Sequence, residues 1–245
     1  MAASRRAPFV SCIMPTRNRR AFLEQALRCF LRQTHQSSEL IVVDDSDVPV
    51  RDLCTGLARV RYIRLSEHTP TGTKLNIGIE TARGAIVQKL DDDDYYGPAF
   101  LETAVTRLGR RRAAIVTWDC FLILIAGEKH LRFSGHGWTV GGTMCFHRGL
   151  WKQTRFRDIP SAVDHYFFID SQAEVVGVCA PESYVVVRHG RHTWTRMSDG
   201  ESADAYLGSL PIYKKPITKV IDPRDVDFYL NLPLTTARSG RACRA

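Results

Sequence analysis

The chain has 245 residues, of which 44% are hydrophobic and 24% charged, and a formal net charge of +8. That composition supplies a sizeable core and excludes general disorder, and no apolar run approaches the roughly 20 residues of a membrane helix. The opening MAASRRAPFV lacks the apolar stretch of a signal peptide, so a soluble chain is expected.

PFVSCIMP (8–15) is an apolar run stopped by proline, followed by a TRNRR loop and by Phe22, Leu23, Ala26, Leu27 and Phe30 at helical spacing. ELIVVDD (39–45) is a buried-strand run ending in two carboxylates, and VRYIRL (60–65) is a further strand. TKLNIGIETARG (73–84) predicts a helix ending at Gly84, and AIVQKL (85–90) a strand running into Asp91–Asp94 and a Tyr-Tyr-Gly-Pro turn. AFLETAVTRL (99–108) predicts a helix with Pro98 at its start, and AAIVTW (113–118) another strand. The alternation predicts an α/β fold with a largely parallel sheet.

Beyond residue 119 the pattern changes. FLILIAGEKHLRF (121–133) predicts a hairpin around Gly127, WTVGGTMCF (138–146) a glycine-broken strand, and DHYFFID (164–170) a short helix. EVVGVC (174–179) and YVVVRHG (184–190) are strand candidates. Residues 196–245, with prolines at 211, 216, 223 and 233, predict an extended wrapping segment whose last ten or so residues form a flexible tail. The expectation is one domain over 1–245, with a ligand-binding half at 8–118, a mixed-sheet half at 119–195 and the wrapping segment.

The seven cysteines (12, 29, 54, 120, 145, 179 and 243) are odd in number, scattered and never spaced C-x-x-C. That spacing disfavours a disulfide framework and a thiolate zinc site, and fits a reducing, cytoplasmic compartment. The basic residues are spread out apart from RRR at 110–112 and an Arg-rich tail, which reads as a solvated surface favouring anionic ligands. Nucleic acid is not expected, because the four tryptophans are scattered rather than interleaved with Arg and Lys on a platform.

In an open parallel sheet, ligands bind at the carboxyl ends of strands, where both acidic groups, Asp44-Asp45 and Asp91–Asp94, fall. Adjacent carboxylates raise one another's pKa unless a cation offsets them, and a hard divalent metal with oxygen ligands does so. Mg²⁺ or Mn²⁺ completes its shell with substrate phosphates, which points to a diphosphate ligand. A solvated acidic turn is the bland alternative.

Taken in order, VSCIMPTRNRRAFLEQALRCFLRQT, ELIVVDDSD, GTKLNIGIETARGAIVQKLDDDDYYGPAFLE, VGGTMCFHRGLW and VDHYF resemble glycosyltransferase family 2 across residues 8–194. The resemblance implies a GT-A fold and inverting transfer from a nucleoside diphosphate sugar, most often a UDP-sugar. It implies that Pro15, Thr16, Arg17 and Asn18 lie along the base and ribose, that Asp45 with Asp44 reads the base, and that Lys74 and Asn76 serve the donor, Lys74 meeting a phosphate. The run is similar to the D-x-D-D pattern, with Asp91, Asp93 and Asp94 in register. Asp93 and Asp91 then hold metal, Asp92 touches ribose, and the Gly141-Gly142 loop lets backbone approach the donor sugar. Asp164 occupies the place of the catalytic base, with Asp158 and Asp170 as alternatives. Val163 departs from the pattern, where glutamate is usual, and leaves open a non-catalytic nucleotide- or sugar-binding relative. His189, or His192, would complete the metal shell, an imidazole suiting Mn²⁺ better than Mg²⁺.

Neither sugar nor acceptor can be read from these residues. A small molecule, a saccharide or a peptide side chain is the expected acceptor, and the basic charge allows a peripheral membrane-surface contact. A Rossmann-type oxidoreductase or methyltransferase is disfavoured because MPTRNRR contains no glycine.

Overall fold

The computed structural model describes residues 7–232 except 110, 112, 113, 191 and 198. The tail expected to be flexible therefore lies outside the described residues. The chain runs β1 (Val10–Thr16), α1 (Arg20–Leu31), β2 (Ser38–Asp44), the single turn α2 (Arg51–Cys54), β3 (Val60–Arg64), α3 (Thr71–Glu80), β4 (Ile86–Lys89), β5 (Tyr95–Tyr96), α4 (Phe100–Leu108) and β6 (Ala114–Trp118). It continues through β7 (Leu122–Ile125), β8 (Arg132–Phe133), β9 (Cys145–His147), α5 (Arg148–Gln153), α6 (Val163–Ser171), β10 (Glu174–Val178), β11 (Tyr184–Arg188), α7 (Ala203–Ser209) and α8 (Val226–Leu230).

The main sheet has the order β10-β6-β9-β4-β1-β2-β3. Every neighbour is parallel except β9, which runs against both β4 and β6. Strand order reverses at β1, with β2 on one side and β4 on the other, so a crevice opens at their carboxyl ends. Both faces of the sheet are covered, which is why β2 is buried at every residue and reads as a continuous apolar run. The pleat sends alternate residues to different cores. Cys12, Met14, Leu40 and Val42 pack with Leu23, Leu27 and Phe30 of α1 and with Phe100 of α4. Ile13, Ile41 and Val43 pack with Leu75 and Ile79 of α3 and with Phe146 and Phe167. The α1 residues that reach this core, 23, 26, 27 and 30, follow the 3-4-7 spacing of one helix face.

A smaller sheet, β5-β11-β7-β8, closes the mixed half. Here β11 and β7 are parallel and the other pairs antiparallel. Leu122, Leu124, Val185 and Val187 form its core with Ile217, Ile221 and Tyr229 from the C-terminal segment. Among the described residues no helix is long and apolar enough to cross a membrane.

Four sequence expectations need correction. First, α3 ends at Glu80 rather than Gly84. Gly84 instead permits close approach to β1, since a Cβ there would lie 2.7 Å from the Ser11 nitrogen and 2.8 Å from the Phe9 oxygen. Second, Tyr95 and Tyr96 are not a turn but a buried strand paired with β11. Third, Gly141–Thr143 is a 3-10 turn rather than a broken strand. Fourth, residues 203–230 are helical in part, because tertiary partners hold them: Asp225, fully buried beside α8, pairs with Arg32 of α1. The prolines at 211, 216 and 223 stand between these helical pieces.

Candidate active site

A cleft of about 640 Å³ opens at the carboxyl ends of β1 and β4, lined among others by Thr16, Arg17, Lys74, Asp91–Asp94, Gly141, Gly142 and Asp164. The loop after β1 begins it. Asn18 adopts a left-handed conformation (φ 53°), which asparagine tolerates better than most residues. Its side chain donates to Asp47 Oδ2 (2.9 Å) and accepts from the Asp47 N–H (2.8 Å), clasping the loops that follow β1 and β2.

Asp44 and Asp45 separate in role. Asp44 is fully buried and caps its own strand end, accepting from the Ser46 N–H (2.8 Å), the Val50 N–H (3.2 Å) and the Tyr62 hydroxyl (2.6 Å). Burial pushes its carboxyl up, but the hydrogen bonds from Ser46 and Tyr62 outweigh that and hold it below the usual range. Neither it nor Asp45 is among the residues that line the cleft, contrary to the sequence expectation. Asp45 accepts from Lys74 Nζ (2.8 Å) and the Thr69 N–H (2.9 Å). His68 Nδ1 lies 3.0 Å from Asp45 Oδ2 and 2.5 Å from Arg17 Nη1, and as a single nitrogen it either donates to the carboxylate or accepts from the guanidinium. Asp45 thus anchors Lys74, one of the cations that line the cleft. Asn76 also departs from expectation. Its amide donates to the Phe156 oxygen (2.8 Å) and accepts from Trp151 Nε1 (2.8 Å), because its position on α3 faces α5 rather than the cleft.

The four consecutive aspartates have four different environments. Asp91 accepts from Lys89 Nζ (2.7 Å). Asp92 accepts from the Thr16 hydroxyl (2.6 Å) and Arg19 (2.9 Å). Asp93 accepts from Arg19 (2.7 Å) and lies 3.0 Å from His189 Nε2. Asp94 accepts from the Tyr184 hydroxyl and the Val187 N–H (3.0 Å), tying β11 to the run. Burial, with Asp93 and Asp91 nearby, pushes Asp94 well up and so favours its protonated form. Asp93 behaves oppositely: burial raises it, but His189 and Arg19 hold it below the usual range, so it is ionised at neutral pH.

Arg19 and Lys89 were missed in the sequence. Lys89 is the last residue of β4, 4% exposed, and is held charged against the cost of burial by Asp164 (3.5 Å) and Asp91. A lysine ending a wholly buried strand just before an acidic run was the available signal. Arg19 gave none beyond its place in TRNRR.

The acceptor-side residues arrive on the Gly141–Thr143 turn and on α6. A Cβ at Gly141 would lie 2.0 Å from Asp164 Oδ2, and one at Gly142 would lie 2.7 Å from Asp91 Oδ2. Both positions are glycine because carboxylates pack directly on the backbone. Ala162 enters α6 in a left-handed conformation (φ 56°), after which Val163 points into the core and Asp164 to the cleft. Val163 is 4% exposed. Asp164 Oδ1 is buried and accepts no hydrogen bond, its only contact of note being Lys89. Burial and the Asp91 charge raise its carboxyl, with Lys89 opposing. The alternatives lie elsewhere: Asp158 accepts from Thr73, and exposed Asp170 is forked by Arg157 (2.8 and 2.7 Å).

A divalent cation fits part of the expected ligand set. Asp93 Oδ2 accepts from Arg19 and lies 3.0 Å from His189 Nε2, a spacing at which carboxylate and imidazole can share either a proton or a cation, but His189 is not among the residues that line the cleft. Asp91 is drawn to Lys89 instead, and His192 to Asp204 (3.2 Å).

The family model for glycosyl transferase family 2 matches residues 11–159. Among curated proteins, the chain is 32% identical over 137 residues to a GalNAc(5)-diNAcBac-PP-undecaprenol beta-1,3-glucosyltransferase of Campylobacter jejuni, covering 53% of this chain and 43% of that one. It is 30% identical over 112 residues to the putative teichuronic acid biosynthesis glycosyltransferase TuaG of Bacillus subtilis, covering 44% of each. The chain thus spans less than half the length of these relatives. Two solved structures share the fold at 19% identity. The mannosyltransferase PcManGT of Pyrobaculum calidifontis, in complex with GDP-Man and Mn²⁺, aligns with a TM-score of 0.58 over 77% of this chain and 59% of its own. TarS of S. aureus aligns with 0.55 over 74% and 37%. With a cleft at the switch point of its sheet and a family match across more than half its length, the chain belongs to glycosyl transferase family 2.

Proposed function

We propose that the chain transfers a sugar from a nucleoside diphosphate, uridine diphosphate foremost, to an acceptor hydroxyl with inversion, and that Asp164 is the general base. One observation carries this reading: a carboxylate oxygen, Asp164 Oδ1, is buried without a hydrogen bond in the same cleft as Arg17, Lys74 and the acidic run. Its charged neighbour is Lys89 Nζ at 3.5 Å, too long for a close hydrogen bond, so the oxygen can still accept a proton from the cleft, and a raised carboxyl is a stronger base once ionised.

Arg17 and Lys74 meet the negative charge that builds on the leaving diphosphate. Asp164 accepts the proton of the acceptor hydroxyl while its oxygen bonds to the anomeric carbon. The bond from that carbon to the diphosphate breaks, its electron pair leaving on the phosphate oxygen. Lys89, fixed between Asp91 and Asp164, holds the base in place through the reaction. Asp93 and His189 would hold Mn²⁺ or Mg²⁺, which supplies charge neutralisation to the diphosphate when bound. Gly141 and Gly142 leave the room that both carboxylates occupy.

Donors carried by the structural neighbours support the donor class: TarS was solved with UDP and with UDP-GlcNAc, PcManGT with GDP-Man. For the acceptor we favour a small molecule, a saccharide or a peptide side chain in the cytoplasm, with membrane contact limited to the basic surface.

Calorimetric titration of UDP, GDP and dTDP, with and without Mn²⁺, tests the donor site on the intact protein and on Asp93→Ala. Tight, metal-dependent binding of one nucleotide that is lost in the variant is expected and identifies the base. A folded protein that binds none of the three refutes the reading.

A further inference from the structure

A second cluster of chemistry-bearing side chains stands apart from the acidic run. Asp119 and Cys120 directly follow β6, and Cys179 directly follows β10, its parallel neighbour. The ladder continues past the strand ends, since the Asp119 N–H donates to the Val178 oxygen (3.1 Å). His136 joins them from the loop after β8. One ligand atom from each of Asp119, Cys120, His136 and Cys179 lies within 4.8 Å of all the others.

The individual separations are close to those a tetrahedral ion imposes. The two sulfurs are 3.7 Å apart, Cys179 Sγ is 4.0 Å from His136 Nδ1, and His136 Nδ1 is 3.7 Å from Asp119 Oδ2. Zinc bonds of about 2.3 Å to sulfur and about 2.0–2.1 Å to nitrogen or oxygen place two sulfurs about 3.8 Å apart and the mixed pairs about 3.3–3.6 Å apart. These three pairs need to contract by at most a few tenths of an ångström, and the remaining pairs, all within 4.8 Å, by up to about 1.2 Å. A second observation points the same way: Asp119 Oδ1 is buried and accepts no hydrogen bond. Room and freedom are also provided. Gly177 has no Cβ where one would stand 3.2 Å from Asp119 Cβ, and His136 lies between Gly135 and Gly137, both with positive φ (74° and 90°).

The geometry points to a tetrahedral zinc site formed by Cys120, Cys179, His136 and Asp119. Thiolates and an imidazole select zinc over the harder Mn²⁺ or Mg²⁺ suited to the diphosphate. All four positions are taken by protein, so the ion is structural, and binding releases the two thiol protons to solvent. Its role follows from what the loop carries. The Trp138 N–H donates to the Asp119 oxygen (2.9 Å), and Trp138, Thr139, Val140 and Gly141 line the cleft. Zinc therefore ties the loop leading to the Asp164 support, the Gly141–Thr143 turn, to the ends of β6 and β10. Linear spacing argued against a thiolate site because its two cysteines are 59 residues apart in sequence, and the parallel pairing of β6 with β10 brings them together.

The test is metal analysis of the full chain purified under reducing conditions and given Zn²⁺, followed by Co²⁺ replacement. About one zinc per chain is expected, and a cobalt form with thiolate-to-metal charge-transfer absorption and tetrahedral visible bands. Cys179→Ser and His136→Ala, both at exposed positions, should lower zinc affinity at least ~10-fold. Asp93→Ala should leave zinc content and the cobalt spectrum unchanged, which separates this site from the diphosphate cation. A folded wild-type chain that binds no zinc, with Cys120 and Cys179 titrating as free thiols, overturns the assignment. So does a reductant-sensitive disulfide between these two cysteines that forms in the presence of zinc.

Discussion

Gly141→Ala tests the catalytic geometry more sharply than removal of the base. The added Cβ would lie 2.0 Å from Asp164 Oδ2 and 2.3 Å from its Cγ, whereas ordinary contact begins at 3.4 Å. The carboxylate must retreat by about 1.4 Å or the turn must shift by as much. Asp164 has little room to do so, since Lys89 holds it on one side and Val163 next to it is locked in the core. A misplacement of ~1 Å at a reacting group costs ~100-fold in rate, which is ~2.7 kcal/mol of barrier. The ceiling is the whole contribution of a general base, ~100- to 10,000-fold. The assay is steady-state sugar transfer alongside calorimetric binding of the donor nucleotide. We expect kcat to fall ~100-fold while nucleotide affinity stays within ~2-fold, because the clash is with the base and not with the cations that meet the diphosphate. A variant that turns over within ~2-fold of the wild type would show that Asp164 is not positioned by Gly141, or is not the base.

Further outcomes follow from other parts of the structure. Val163→Glu, which restores the residue usual in the family, should lower stability by ~2–4 kcal/mol without raising kcat, because the position is buried among Leu75, Phe156 and Phe167. A thermal midpoint equal to that of the wild type would contradict this. Arg32→Ala should cost ~3 kcal/mol by leaving the carboxylate of Asp225 buried and unpaired, with α8 the first element to gain hydrogen exchange. Uniform exchange across the chain would argue against local docking of α8. Glu39 is buried, and although burial raises its carboxyl, the Arg83 N–H, the Ser11 hydroxyl and Arg61 hold it below the ordinary value. Its folded pKa is depressed, so its contribution to stability is present above the unfolded pKa of about 4.3 and is lost as pH falls through the folded pKa. Glu39→Gln should therefore destabilise at pH 7 and flatten the loss of stability below about pH 4, read as denaturant midpoints across pH. An unchanged acid slope would refute it.

The alternation of strands and helices and the position of the acidic run were legible in the sequence because they are local properties, whereas β1 runs on through Pro15 to Thr16 rather than stopping at the proline. An apolar run flanked by polar turns needs no distant partner to be recognised, and the pleat and helix periods act over a few residues. The place of the cleft followed for the acidic run, which ends β4 beside the point where the strand order reverses, but not for Asp44 and Asp45, which lie outside the lining.

What each side chain does there was decided only by contacts far along the chain. Asp92 and Asp93 meet Arg19 from 73 and 74 residues away, and Asp94 meets Tyr184 from 90. Neighbours in sequence thus acquired opposite protonation tendencies. The family resemblance assigned Asn76 to the donor together with Lys74, but two residues along a helix turn a side chain about 200° away. Val163 could be read as a missing carboxylate, yet only the packing of α6 showed a position buried in the apolar core at the cleft wall. The cysteines at 120 and 179 looked scattered until β6 and β10 paired. Local sequence determines which backbone conformations form because propensity and period are short-ranged. Charge, proton and ligand states depend on burial and on partners within a few ångströms, and those are set by tertiary structure alone.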